Sequence, residues 1–162
     1  MRFDSLAKPI SEAEPCGPDL DELGDDKYLN YMLGAENRLP TRYMDFKDTP
    51  DGVPFDGSKI DLKAEMAAIS GFLEESRDLR LLTLEARFQA LSGSILGFSE
   101  CVQAIALLIA TYWTELHPRG MDDDFTLRQN AVGALDARAT VVAALEYAPV
   151  LRDQRVGSIT LR

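Results

Sequence analysis

Histidine is nearly missing from this chain: His117 is the one imidazole among 162 residues, beside two cysteines and one tryptophan. As a metal ligand His117 has only Asp122, Asp123 and Asp124 near it in sequence, an oxygen-rich set suited to magnesium or manganese that matches no known ligand spacing. Cys16 and Cys101 form no Cys-x-x-Cys pair; Cys101 lies in an apolar helical pattern and reads as a small buried hydrophobe. Seven acidic side chains between Glu12 and Asp26, with no basic one, are expected to raise the Cys16 thiol and blunt it as a nucleophile. There is no Gly-x-Ser-x-Gly string, and Gly93 and Gly97 are not followed by the Lys-Ser/Thr of a phosphate loop. No cofactor and no catalytic group is expected.

Long hydrophobic runs are missing too. The most apolar stretch, residues 104–110, is far short of the roughly 20 residues that span a bilayer. Met1 to Leu6 has no apolar core or cleavage site, so a cytoplasmic protein without direct membrane insertion is expected. A net charge of −10 repels phosphate backbones and argues against nucleic acid.

What is present is helical periodicity over a length that suits one domain, residues 1–162. Asp19 and Glu22 have the spacing of a capping pair before a modest helix carrying Leu23, Tyr28, Tyr31, Met32 and Ala35. Residues 39–57, with three prolines and two glycines, read as a long loop, an element that in compact domains often binds something. Ser58 and Asp61 precede a stripe of Leu62, Met66, Ile69 and Leu73; Asp78 caps a further helix to Leu91. Phe98 to Leu116 is apolar over most of its circumference and is expected in the middle of a bundle, stopped by Pro118, with His117 bonding the last carbonyls. Asp122 to Asp124 read as first-turn acids of the next helix, and Thr126 to Tyr147 as one or two helices turning Leu127, Ala131, Leu135, Val142 and Leu145 inward, with a bend near Asp136. Val150–Leu151 and Val156–Leu161 read as two strands about a polar turn. The fold class is therefore mainly α: a bundle of five to seven helices with a short C-terminal β-hairpin. The core is expected to hold Leu62, Met66, Leu82, Ile105, Ile109, Tyr112 and Trp113, and Trp113→Ala to cost about 3–5 kcal/mol if that ring is buried.

Several short strings follow one another in a telling order: Pro9-Ile10-Ser11, Pro15-Cys16-Gly17-Pro18-Asp19-Leu20, Ser76-Arg77-Asp78-Leu79-Arg80, Trp113 to His117-Pro118, Arg128-Gln129-Asn130, and Gly157-Ser158-Ile159-Thr160-Leu161. In this order they resemble the ImpA N-terminal domain that opens TssA-type proteins of the bacterial type VI secretion system. One departure stands out: where the family has Asp-Trp, this chain has Asp61-Leu62. The resemblance implies a non-catalytic adaptor acting by protein–protein contacts at the baseplate and contractile sheath, and an N-terminal piece of a longer chain. Two other readings stand beside it: a self-association module forming homo-oligomers, and a metal-dependent hydrolase built on His117 and the Asp122–Asp124 loop. For surface contact the candidates are the acidic Asp19, Asp21, Glu22, Asp25 and Asp26, the loop aromatics Tyr43, Phe46 and Phe55, and Arg77 and Arg80. The two arginines have a structural reading as well, neutralising neighbours while Asp78 caps its helix.

Overall fold

Short polar side chains set where the helices begin. Asp25, Asp61, Asp78 and Ser94 accept the backbone N–H of Tyr28, Ala64, Arg80 and Gly97 and open α1 (Asp26–Arg38), α2 (Leu62–Glu75), α3 (Leu79–Leu91) and α4 (Ile95–Thr111). Asp124 likewise accepts the N–H of Thr126 at the start of α5 (Thr126–Gly133), and α6 (Ala143–Tyr147) is the last α-helix among the described residues. This is a computed structural model that describes residues 3–47, 49–120, 122, 124–153, 155 and 157–161. The first helix starts later than the Asp19–Glu22 spacing predicts. Asp19 instead accepts the N–H of Asp21 and closes a tight turn, leaving Asp25 as the cap. Ser58 sits in a short 3-10 turn (Gly57–Lys59) ahead of α2 rather than in its cap.

The central helix is α3, not α4. Eleven of its side chains are buried, including Leu79, Leu81, Leu82, Leu84 and Phe88, and it packs against α2, α4, α5 and α6. Its sequence conceals this because Thr83, Glu85 and Gln89 are buried as well, Gln89 donating to Glu85 at 3.3 Å. Buried polar groups survive only with hydrogen-bond partners, and α3 supplies them internally. The more apolar α4 keeps one face outward, with Leu96 75 % and Val102 37 % exposed. Gly97 lies inside α4; a Cβ there would strike the Gln89 side chain, so glycine permits the close approach of α4 to α3.

Of the expected core, Leu82, Ile105 and Tyr112 are buried and Leu62, Met66 and Ile109 half-buried. Trp113 is not core: α4 ends at Thr111, and the indole, 48 % exposed, lies past the helix end against Phe125 at 4.9 Å. Leu127 is 62 % exposed and does not face inward, because α5 is short and buries its Arg128 and Ala131 side instead. Beyond α5 the chain passes through a 3-10 turn (Ala134–Asp136) and one π-helical turn (Arg138–Val142) into α6, so the expected bend near Asp136 separates three short pieces. Ile60 is buried beside the half-buried Leu62, and Phe72 packs edge-on to Tyr28 at 5.7 Å.

The stretch read as a long loop contains an antiparallel pair in the middle of the chain, β1 (Met44–Asp45) with β2 (Val53–Pro54), in register Met44↔Pro54 and Asp45↔Val53. Strands of two residues carry no alternation a sequence can display. A second antiparallel pair joins β3 (Leu151–Asp153) to β4 (Gly157–Ile159), with Leu151 opposite Ile159.

Candidate interaction surface

Gly17 has φ +66°, a backbone that favours glycine, and a Cβ there would run into the carbonyl of Glu75. That close approach brings the Cys16–Asp19 turn onto the start of α3 and the end of the α4 connection. Three segments are stitched there by backbone: the Arg77 N–H donates to Cys16 O at 2.7 Å, the His117 N–H to Arg77 O at 3.1 Å, and the Leu79 N–H to His117 O at 3.0 Å. Side chains complete the joint. His117, 1 % exposed, makes a 2.8 Å hydrogen bond from Nε2 to Gly17 O, and its Nδ1 faces Asp19 Oδ2 at 3.4 Å, beyond ordinary hydrogen-bond length. It bonds this distant turn, not the orphan carbonyls of its own helix.

Arg80 joins three carboxylates. It reaches Asp19 at 2.6 Å and Asp21 at 2.6 Å, and donates from Nε to both oxygens of Asp78 at 3.0 Å. Asp78, with 0 % exposure, also accepts the Tyr28 hydroxyl at 2.9 Å. Burial works against the Arg80 charge, but hydrogen bonding and attraction to Asp78 outweigh it and raise the guanidinium above its usual range. Burial likewise pushes the Tyr28 phenol up, reinforced by the Asp78 charge. For Asp19, burial would raise the carboxyl, yet the His117 ring and the Arg80 guanidinium together hold it well below the usual carboxylate range.

A depressed carboxylate contributes stability that is present above its unfolded value, about pH 4, and is lost as pH falls toward and through the folded one. The melting temperature is therefore expected to fall as the pH is taken down from about 4, and Asp19→Asn to remove part of that dependence. Melts recorded across this range check it; an identical acid slope in the variant would assign the loss to other groups.

Cys16 is fully buried and its thiol is pushed up to about 11, first by burial and then by Glu115 rather than by the acidic segment it belongs to. Arg77, 6 % exposed, hydrogen-bonds Leu73 O and, at 3.1 Å, Lys8 O. Arg128, 3 % exposed, donates to the carbonyls of Trp113 and Leu116 at 2.6 Å and of Pro118 at 2.8 Å, and lies over the Trp113 ring at 4.8 Å. Among the described residues no group of three or more His, Cys, Asp or Glu side chains is placed to hold a metal; Asp123 lies outside them. No helix among them is long and apolar enough to cross a membrane.

The sequence-predicted contact residues separate into three groups. Asp19, Arg77 and Arg80 are engaged in the joint just described, with Asp21 at its exposed edge. Glu22 and Asp26 are exposed and Asp25 is a helix cap. Tyr43, Phe46 and Phe55 belong to the mid-chain hairpin region, where Phe55 and Tyr43 pack on the core while Phe46 is 61 % exposed. Tyr43 also stacks on Tyr147 at 5.6 Å, beside a cleft of about 450 Å3. Sequence reasoning missed Arg42, Arg138 and Tyr147, which line this cleft; nothing in their spacing links residues so far apart.

The model of the family described as ImpA, N-terminal, type VI secretion system matches residues 7–137. No curated protein matches the chain. Among solved structures, the N-terminal domain including the conserved ImpA_N region of the TssA component of the type VI secretion system from Burkholderia cenocepacia is similar, at 26 % identity and a TM-score of 0.69. The match covers 98 % of this chain and 54 % of that one, so the chain spans about half the length of the structure it resembles. Most of the strings that suggested the family lie within the matched residues, and several meet in the buried joint around Asp19, Asp78 and His117. The chain belongs to the ImpA N-terminal family of the type VI secretion system.

Proposed function

We propose that the chain is a non-catalytic adaptor domain of a cytoplasmic TssA-like assembly protein. It works through protein–protein contacts at the baseplate and contractile sheath and forms the N-terminal piece of a longer chain. One observation carries the reading: the polar residues of the family strings are turned inward to hold the scaffold together, whereas the mid-chain hairpin region turns Phe46 outward. His117 and Cys16, the two side chains with the most reactive chemistry, are buried, His117 against Gly17 and Asp19.

The test uses the chain as bait in a lysate holding the type VI baseplate and sheath components. Deleting residues 39–57 would remove Leu39, Tyr43 and Phe55 from the core, so Phe46→Asp, at a 61 % exposed position, is the informative variant. Recovery of one component by the wild type and its loss in the variant is expected. Recovery of no component would refute the adaptor reading.

A second reading, self-association, is favoured by an open apolar surface where Trp113, 48 % exposed, lies with Ile109, Phe125 and Val132. Sedimentation at several concentrations separates the two: a mass that rises with concentration supports self-association, a constant monomer mass does not.

A further inference from the structure

Five arginines among the described residues are engaged within the fold. Arg38, Arg80 and Arg87 pair with carboxylates, and Arg77 and Arg128 with backbone carbonyls. Arg42 and Arg138 differ: both are exposed, and neither side chain has a hydrogen-bond or ion-pair partner among the described residues. They come from segments almost a hundred positions apart, one entering the β1–β2 hairpin and the other opening the π-helical turn before α6, and they line the same cleft of about 450 Å3. The stacked Tyr43 and Tyr147 rings and the exposed Phe46 give that cleft its aromatic surface. Among the described residues Asp51 is the one carboxylate in the lining, against the two cations Arg42 and Arg138, on a chain whose net charge is −10.

We infer that this cleft docks an acidic peptide segment of a partner protein, an assignment that rests on the adaptor reading and names the chemistry of its contact. A guanidinium presents a planar fork of donors that matches a carboxylate in two parallel hydrogen bonds. Arg42 and Arg138 have that capacity unused. Between them the tyrosines and Phe46 offer a face for an apolar side chain, and arginine and large aromatics are the residue types in which binding energy concentrates. The volume falls within the range of pockets that bury a small molecule, about 300–1,000 Å3, room enough for a few side chains. The overall negative charge opposes an acidic partner at long range, but at physiological ionic strength that repulsion is screened beyond about 8 Å, so the two local cations decide at contact. Binding of this kind weakens with added salt.

Short overlapping synthetic peptides tiling the baseplate and sheath subunits of the same secretion system serve as the probe, with the full chain as the reader. Acid-rich peptides carrying an apolar residue are expected to bind. The double variant Arg42→Glu, Arg138→Glu is expected to weaken that binding about tenfold or more, a loss of about 1.4 kcal/mol or more, with its melting temperature kept because both side chains are exposed. Binding indifferent to acid content, or undiminished in the double variant, overturns the assignment. So does cleft-dependent association with a second copy of the chain in place of a peptide. If the intact component is still captured while no acidic peptide depends on Arg42 and Arg138, the adaptor reading stands and the cleft assignment fails; if the wild type captures no component, the adaptor reading itself fails.

Discussion

Replacing Asp78 by alanine is expected to lower the unfolding free energy by about 2–4 kcal/mol, the combined cost of an unpartnered buried hydroxyl and a lost helix cap. Few side chains in the chain carry so many dependents. The carboxylate is 0 % exposed, receives Arg80 Nε on both oxygens at 3.0 Å, accepts the Tyr28 hydroxyl at 2.9 Å, and caps α3 through the Arg80 N–H at 2.8 Å. Its loss leaves the Tyr28 hydroxyl, on a side chain 1 % exposed, without that acceptor, which alone costs about 1–3 kcal/mol. The missing cap adds about 1 kcal/mol. Arg80 would keep Asp19 and Asp21, so the guanidinium is weakened in its site rather than orphaned. Domains of this kind have only about 5–15 kcal/mol in total, so the variant is expected to sit near the edge of folding. Urea titration measures the change; Asp78→Asn, which keeps the size and an acceptor for the cap, should lose less than the alanine variant. A loss under about 1 kcal/mol for Asp78→Ala would mean that the joint contributes little to stability.

Arg128→Ala is expected to cost about 3 kcal/mol or more, since buried carbonyls left without a donor cost about 1–3 kcal/mol each. The stretch from Tyr112 to Pro118 follows the end of α4 without forming helix, and helix ends leave carbonyls that need outside donors. Arg128 reaches back from α5 to three of the carbonyls there, those of Trp113, Leu116 and Pro118. Lysine at this position cannot reproduce the planar fork and should restore only a small part of the loss. Trp113→Ala provides the contrast. Its ring packs at a tilt against Phe125 and under Arg128 but is half in water, so a loss of about 1 kcal/mol is expected in place of the 3–5 kcal/mol that burial would imply. Chemical denaturation of the three variants side by side decides; a larger loss for Trp113→Ala than for Arg128→Ala would contradict this ranking.

Periodicity and capping residues made most helices legible in the sequence. Asp61 and Asp78 mark the starts of α2 and α3, because a short acceptor before an apolar stripe meets a local need that no distant residue has to supply. What stayed hidden depends on contacts between remote segments. Asp19 looks like a helix cap until Arg80, 61 residues away, is seen to hold it. The apolar face of Trp113 looks like core until α4 is seen to end at Thr111 and Arg128 to cover the ring. The central place of α3 was hidden in the opposite direction, because its polar Glu85 and Gln89 are buried along with its leucines. The mid-chain strands were illegible because they are two residues each, and the cleft beside them because it joins the hairpin to residues 138–147.

The most direct test of the account is hydrogen exchange read by mass spectrometry, on the chain alone and bound to the type VI component it captures. Slower exchange on binding is expected in residues 41–47 and 138–147, which frame the cleft, with the buried joint around Asp78 unchanged. Protection confined to the acidic segment from Glu12 to Asp26, or none beside the cleft, would contradict an adaptor that binds through this face.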